Sequence, residues 1–550
     1  MSALLRSSEI RRIEALAMRE LPAGTLMSRA ADAVVEATVE LARTLAVGRP
    51  IVAWIGPGNN GGDALLAALR LRACGFAVHA IALDARRDPA GDAAAIWQMA
   101  RQQDFPVAPA AAWEAWLTAP TAPIVIDGLF GIGLQRPLDA ACAALCAQMA
   151  QRDWPMVAVD VPSGIDADTG SLVGTQAVRA RRTVTMIADK PGLRTGAALD
   201  HVGTVSVATL GIDAALLDED PCTTAGVPGA TVIPAAAATL SDPMHGTASP
   251  AAHERSFVAA RGRRFDLAAA RDEAPPARSL DSNKGSFGSV LCYGGAPGMH
   301  GAVLLAARGA QAGGAGRIYV ATPAGTLFDP SQPQWMSTSP DTGFGSFDAV
   351  AIGCGLGTSG AAADALRRAG AQARTLVVDA DALNLIAADA SLTAALVQRK
   401  SANASVATPH PLEAARLLGA DVADVQTDRI GAACTLAARL HCVILLKGAG
   451  SIVATPQGHW SIIATGSPCL ASAGTGDVLA GLCASLLARG LDAERAACLA
   501  AWLHGGAGTL WAQANGTDDG LSAACLPRWI RAARAQLPAE SVGASPVVLR

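Results

Sequence analysis

Short apolar runs that stop on Gly, Asp or Pro, with helix-patterned stretches between them, recur through this chain. That alternation limits the folds open to it. Between residues 51 and 210 the runs are "IVAWIG", "AVHAIAL", "PIVIDGLF" and "MVAVDVPSG", and they read as buried strands. "DALLAALRLRACG" and "LDAACAALCAQMA" read as the helices between them. Strand and helix in alternation give a parallel sheet covered on both faces. A second series begins near Lys284, with "SVLCYGGA", "GRIYVATP", "AVAIGCGLG", "TLVVDADALN", "SVATPHP" and "VILLKGAGSIVA" as strands running into polar loops. No repeat links the two series. From about Pro221 to Pro276 the pattern fails in a stretch rich in Ala, Pro, Thr and Arg. The expected organisation is one domain over 1–220, a linker or irregular domain entry over 221–276, and a second domain over 277–540.

Composition agrees. The 550 residues are 51% hydrophobic and 16% charged, which supports large cores and excludes global disorder. A net charge of −4 gives no sign of a nucleic-acid surface. No apolar run reaches the roughly 18 residues of a membrane span. "MSALLRSSEIRRIEALAMRE" reads as an amphipathic helix rather than a signal peptide. The 12 cysteines lack CxxC pairs, which points to reduced thiols in a cytoplasm and away from disulfides or zinc. Lysine is scarce: Lys190, Lys284, Lys400 and Lys447 are the only four, and the other 39 of the 43 basic residues are arginine. Lysines this scarce stand out from compositional noise, and three of them lie close to glycine, in "ADKPGL", "SNKGSFG" and "LLKGAG".

In "GPGNNGGD", Gly56, Gly58 and Gly61 fit G-x-G-x-x-G, and Asp84 stands where a dinucleotide-binding domain places its ribose-binding acid. Asp63 counts against that reading, because a carboxylate in the first helical turn repels a pyrophosphate. A plain Asn-Gly turn is the bland alternative. Two later loops add groups at strand ends: Asp127 in "IDGLFGIGLQRP", and Asp160 with Ser163 in "VDVPSGIDADTG". Strand C-terminal ends converge on one crevice in such a sheet. Asn60, Asp127 and Ser163 are then hard oxygen ligands for an alkali or alkaline-earth cation. Asp63 and Asp160 remain for proton transfer or for binding sugar hydroxyls, and Asp160 is alternatively a helix cap.

In the second series, "ASAGTGDVLAGL" is not a Walker loop, because no lysine follows its last glycine. Residues 473–476 can nevertheless turn N–H groups inward at a helix start and form an anion hole, with Asp477 beside it as a general base; a plain glycine turn is the bland alternative. "LLKGAGS" ends a strand with Lys447 and two glycines, "TPHPLEAARLLG" puts His410 before a helix, and "VVDADALN" adds Asp379, Asp381 and Asn384. Those last three are alternatively helix caps.

These motifs carry a resemblance. "NNGGD", "DGLFGIGL" and "VDVPSGIDADTG", over most of 1–215, resemble the epimerase domain of the bifunctional NAD(P)H-hydrate repair enzymes. "NKGSFGSVLCYGGAPGMHGAVLLAARGA", "GCGLGTS", "TPHPLEAARLL", "LLKGAGSIVA" and "ASAGTGDVLAGL", over about 277–515, resemble the ADP- or ATP-dependent dehydratases of the same substrate. The resemblance implies an α/β chain with an N-terminal Rossmann-like three-layer αβα domain and a C-terminal ribokinase-like αβα domain. It implies a potassium ion on Asn60, Asp127 and Ser163. Asn59, Asn60, Gly61, Gly62 and Asp63 would bind the hydrated nucleotide, together with Asp160. So would Gly131, Ile132, Gly133, Leu134, Gln135, Arg136 and Pro137. In the second domain Ala302, Gly357, His410 and Asp477 would contact the hydrate. Lys447, Gly448, Ala449, Gly450, Ser451 and Gly476 would hold ADP or ATP, which comes with magnesium. Asp160 and Asp477 are the expected catalytic carboxyls. The expected partners are hydrated NADH or NADPH and an adenine nucleotide, with no nucleic acid or membrane, in a cytoplasmic homo-oligomer. Three positions depart from the family pattern: Ala64 closes NNGGDA where glycine is usual, Leu412 replaces glycine in PHPLE, and Ser467 replaces an asparagine.

The alternative from another class is a ribokinase-like vitamin or sugar kinase with an accessory nucleotide-binding domain, which would release a stable phosphate ester. A third reading makes the first half a non-catalytic module, against which Asn60, Asp127, Asp160 and Ser163 stand.

Overall fold

Alternate residues of a strand face opposite sides of its sheet, so a strand apolar at every position needs a core on each side. Both sheets of this chain have two. In the strand Ile51–Ile55, Ile51, Ala53 and Ile55 pack into one core, while Val52 and Trp54 pack into another. In Ser289–Tyr293, Val290 and Cys292 face one core, and Leu291 and Tyr293 the other. The computed structural model describes residues 2–83, 90–134, 136–212, 262–399 and 405–537. Among them no helix is long and apolar enough to cross a membrane, and the described cysteines are free.

The first strands are β1 (Ser2–Leu4), β2 (Ile51–Ile55), β3 (Val78–Ala82), β4 (Val107–Pro109), β5 (Ile124–Gly128), β6 (Met156–Val159), β7 (Arg182–Met186) and β8 (Thr204–Ala208). Seven of them form an all-parallel sheet in the order β4-β3-β2-β5-β6-β7-β8. The helices Ser7–Glu20, Thr25–Arg43, Asn59–Ala73 and Asp92–Gln102 cover one face. Ala140–Gln151 covers the other, with Trp113 and Trp154. Chain order reverses between β2 and β5, and the C-terminal ends there open the crevice that parallel sheets use for ligands.

The second sheet takes β9 (Gly262–Phe265), β10 (Ser289–Tyr293), β11 (Arg317–Ala321), β12 (Met336–Ser337), β13 (Ala349–Ile352), β14 (Leu376–Val378), β15 (Ser405–Ala407), β16 (Val443–Leu446), β17 (Ile452–Ala454) and β18 (Trp460–Ile463). Its order is β1-β9-β18-β17-β16-β15-β14-β13-β10-β11-β12. The strands from β12 to β16 in that row are parallel, while β17 runs against both of its neighbours.

Two stretches differ from the sequence expectation. Residues 262–276, expected in the linker, include β9 and a helix, Leu267–Asp272. The arginines of "GRRF" hid the strand, but Arg263 is neutralised by ion pairs to Glu273 and Glu494. Ser2–Leu4, expected at the start of the first domain's helix, instead pairs antiparallel with β9 as an edge strand of the second sheet. Leu4 and Leu5 are both fully buried, Leu4 in a core of the second sheet and Leu5 in a core of the first. The rest of the expected linker, 221–261, lies outside the described residues, as do Asp84 and Gln135.

Candidate active sites

The first crevice encloses a cavity of about 410 Å³. Asn59, Asn60, Asp63, Gly131, Ile132, Gly133, Leu134 and Asp160 all line it, together with Glu14. The turn after β2 is held tight by glycine: a Cβ at Gly61 would stand 2.1 Å from the carbonyl oxygen of Gly56. Ala64 fits because Gly128 faces it, since a Cβ at Gly128 would meet the Ala64 Cβ at 2.3 Å.

Asp127 ends β5 and is buried. Its Oδ1 accepts from the Ser163 hydroxyl at 2.7 Å and its Oδ2 from the Ser163 N–H at 2.8 Å. Burial pushes its carboxyl up to about 6, with the Ser163 hydrogen bonds pulling the other way. The Asn60 amide nitrogen is buried without a hydrogen-bond partner. Asp160 follows β6 in the left-handed region, φ +66°, a conformation that costs an L side chain and concentrates at functional sites. Its Oδ1 accepts from Lys190 Nζ at 2.7 Å and from the Met186 N–H at 3.1 Å. Its Oδ2 is turned towards the Gly131 loop, 3.1 Å from where a Cβ there would stand. Lys190 is fully buried and also donates to the Thr185 hydroxyl and the Met186 carbonyl. Asp63 lines the same cavity. Burial first, then the charges of Asp160 and Glu14, hold its carboxyl well above the ordinary range.

In the second domain the AGTGD turn opens a helix. Gly474 caps the helix Thr475–Ala488 at φ +86°. The Thr475 hydroxyl donates back to the Leu470 and Ser472 carbonyls. Asp477 stands in the first turn, where its carboxyl is pushed up to about 7 by burial and by the charge of Asp379. A hydrogen bond from the Cys354 thiol and the charge of Lys447 act in the opposite sense. Lys447 ends β16 and donates to Asp379 Oδ1 at 2.7 Å. Burial disfavours its ammonium, yet Asp379 and Glu413 outweigh that and hold it above the ordinary lysine value. Its Nζ lies 3.5 Å from where a Cβ of Gly476 would stand, so the lysine and the glycine turn face one space. His410 caps the helix Pro411–Leu418, with Nδ1 accepting from the Leu412 and Glu413 N–H groups. Burial, then Lys447, lowers its pKa and keeps the ring neutral. Asp381 accepts from the Gly357 N–H at 2.8 Å and so fixes that turn. Asn384 is drawn away to Arg416. Of the three polar residues in "VVDADALN", only Asp379 reaches the site's lysine.

Two family models match, one described as YjeF-related protein N-terminus over residues 23–192 and one as NAD(P)H-hydrate dehydratase over 290–529. A bifunctional NAD(P)H-hydrate repair enzyme of Moorella thermoacetica is 32% identical, over 93% of each chain. That of Gloeobacter violaceus is 34% identical, over 95% of this chain and 96% of its own. The chain belongs to the family of bifunctional NAD(P)H-hydrate repair enzymes. That of Escherichia coli is 30% identical over 84% of this chain and 81% of its own. Among solved structures, an ADP/ATP-dependent NAD(P)H-hydrate dehydratase of Bacillus subtilis, co-crystallised with ATP and magnesium, is 28% identical. It covers 50% of this chain and 99% of its own, at a TM-score of 0.44.

For a repair enzyme of this family the three departures are accommodated. Leu412 is 43% exposed. Ser467 caps the short turn Pro468–Leu470 and hydrogen-bonds Asp518. Ala64 is fitted as described above. Two site residues escaped the motif reading. Lys190 was marked only by its scarcity and its neighbouring glycine. Cys354 was hidden in "GCGLG", which reads as a turn, yet its sulfur and the carboxyl oxygens of Asp379 and Asp477 lie within 4.8 Å of one another.

Proposed function

We propose that the first crevice interconverts the R and S forms of hydrated NADH or NADPH. The second site dehydrates the S form at the expense of ADP or ATP. The observation that carries this reading is Asp477: a carboxyl poised at about 7 in the first turn of a helix whose N-terminal glycine turn faces Lys447. A base is most effective when its pKa is near the working pH.

The hydrate is a hemiaminal, with a hydroxyl on the carbon beside the ring nitrogen. Asp477 takes the proton from that hydroxyl, and the oxygen attacks the terminal phosphoryl group, breaking its bond to the bridging oxygen and releasing AMP from ADP or ADP from ATP. Lys447 and the N–H groups of the turn stabilise charge on the phosphoryl oxygens, the main source of catalysis in such transfers. The ring nitrogen then expels phosphate, and loss of a proton from the adjacent carbon restores the dihydronicotinamide. Magnesium bound to the nucleotide would supply further neutralisation of its phosphates.

In the first crevice the two carboxyls are set apart by their surroundings, which suits an acid and a base acting together. Asp63, whose carboxyl burial and the neighbouring charges hold well above the ordinary range, can donate to the departing hydroxyl. Asp160, with one oxygen on Lys190 and the other towards the cavity, can take a proton from water returning to either face. Asn60, Asp127 and Ser163 fit a potassium ion, since they are hard oxygen donors around a buried carboxyl. Bound there, potassium would supply positive charge against the nucleotide's phosphates. Asp127→Ala is expected to slow epimerisation and remove its dependence on potassium, read by following R-to-S conversion with and without the ion.

Mixed hydrate epimers incubated with ADP and magnesium test the whole reading. Return of the NADH absorbance is the expected result. Accumulation of a stable phosphate ester, without NADH, would favour a kinase instead.

A further inference from the structure

The loop from Lys447 to Ser451 is clamped from behind by a residue of the other half of the chain. Thr195 is fully buried. Its hydroxyl lies 3.1 Å from the Ala449 carbonyl oxygen and 2.8 Å from that of Gly450, and it accepts from Arg429 Nε at 3.1 Å. The Gly196 N–H donates to the same Ala449 carbonyl at 3.0 Å. Arg429, 1% exposed, donates to the Lys447 carbonyl at 3.3 Å. Contact is close enough to dictate glycine at two places. A Cβ at Gly448 would stand 2.8 Å from the Arg429 guanidinium, and one at Gly450 would stand 2.1 Å from the Arg194 carbonyl oxygen.

The direction of these bonds matters more than their number. In a trans peptide the carbonyl and the following N–H point opposite ways. Drawing the carbonyls of Lys447, Ala449 and Gly450 back onto Arg429 and Thr195 therefore aims the N–H groups of Gly448, Gly450 and Ser451 forwards. Consecutive N–H groups aimed at one space form an anion-binding concavity.

We propose that Thr195, carried by the epimerase half, is a positioning residue for the dehydratase half, orienting the Lys447–Ser451 loop so that its N–H groups meet the phosphates of the adenine nucleotide. This rests on the reading of that loop as the nucleotide site. Thr195 lies five residues beyond Lys190, which holds Asp160. One segment thus anchors a carboxyl of the first site and the backbone of the second, and the dehydratase site is incomplete without the first domain.

The test is the nucleotide dependence of dehydration in the full-length chain. Thr195→Val keeps the shape and removes the hydroxyl, which takes the side-chain donor from the Gly450 carbonyl and the acceptor from Arg429 Nε, while the Ala449 carbonyl keeps the Gly196 N–H. The KM for ADP is expected to rise about five- to tenfold. At saturating ADP kcat should hold, as should epimerisation in the same sample, and Thr195→Ser should restore the KM. An unchanged KM in Thr195→Val, or a Thr195→Ser variant as impaired as Thr195→Val, overturns the proposal. So does a parallel fall of both activities in Thr195→Val and the smaller Thr195→Ala, which would make the residue merely structural. Lys447→Ala separates the proposal from the reading beneath it. If Lys447→Ala raises the KM for ADP while Thr195→Val does not, the loop binds nucleotide and only the positioning role falls. If neither changes it, the loop reading itself is lost.

Discussion

Each half of the molecule holds one of its rare lysines against an aspartate at 2.7 Å, Lys190 on Asp160 and Lys447 on Asp379. The two pairs do opposite things for the carboxyl that reacts. In the first half the lysine grips Asp160, the aspartate we propose takes the proton from water, and the carboxyl left raised is the neighbour, Asp63. In the second half the lysine is spent on Asp379, and Asp477, the proposed base, is left with a raised pKa of about 7. Epimerisation needs a proton given to the departing oxygen and then one taken from the returning water, whereas phosphoryl transfer needs a single base beside an anion hole. The same pair, shifted by one partner, sets up either.

The hardest way to break the comparison is Asp477→Asn. It keeps size and capping but cannot accept a proton. Dehydration should fall ~100- to 10,000-fold, the worth of a general base, while nucleotide binding and epimerisation persist. A variant that still regenerates NADH at a tenth of the wild-type rate would reduce Asp477 to a helix cap. Next comes Lys190→Met, which strands Asp160 inside the protein. Breaking a buried pair costs about 3–5 kcal/mol, measurable by urea unfolding. Lys447→Met should cost less, because the Lys447 side chain is 19% exposed against none for Lys190. A gentler probe is pH. The carboxyl of Asp477 is raised, so it is protonated and inactive below about 7 and free above it. The rate of dehydration should drop about tenfold per pH unit as pH falls below that value. A limb near pH 4 would mean that burial does not tune this group. The smallest effect belongs to Cys354→Ala, which removes the thiol hydrogen bond that favours the ionised form. The same limb should move upwards, lowering the rate at pH 6 about two- to fivefold. An unmoved limb would take Cys354 out of the site.

Much of this was readable beforehand, for a physical reason. Strands buried on both faces must be apolar throughout, so β2, β5, β6 and β16 announced themselves, and the polar residues at their C-terminal ends, Asp127, Asp160 and Lys447, stood out against them. What failed to announce itself lacked such contrast. β7 and β8, "RTVTM" and "TVSVA", mix polar residues into short runs, and β8 is half exposed at the sheet edge. β9 carries charges that only its ion-pair partners explain. Cys354 matters through two aspartates distant in sequence, and no local pattern reports such a meeting. Thr195 belongs to no motif, because its role is to support another loop's backbone.

The placement of Leu4 and Leu5 in cores of different sheets also sets an order in time. During synthesis β1 leaves the ribosome ahead of the first sheet, and its partner β9 follows roughly 260 residues later, a wait on the order of 10 to 50 seconds at ordinary elongation rates. The first sheet can close around Leu5 during that interval, while the three residues of β1 have nothing to pair with. The edge of the second sheet is completed by residues made before the first sheet, so this joint between the halves waits on the slow arrival of β9, and the joint of Thr195 with Ala449 and Gly450 waits longer still.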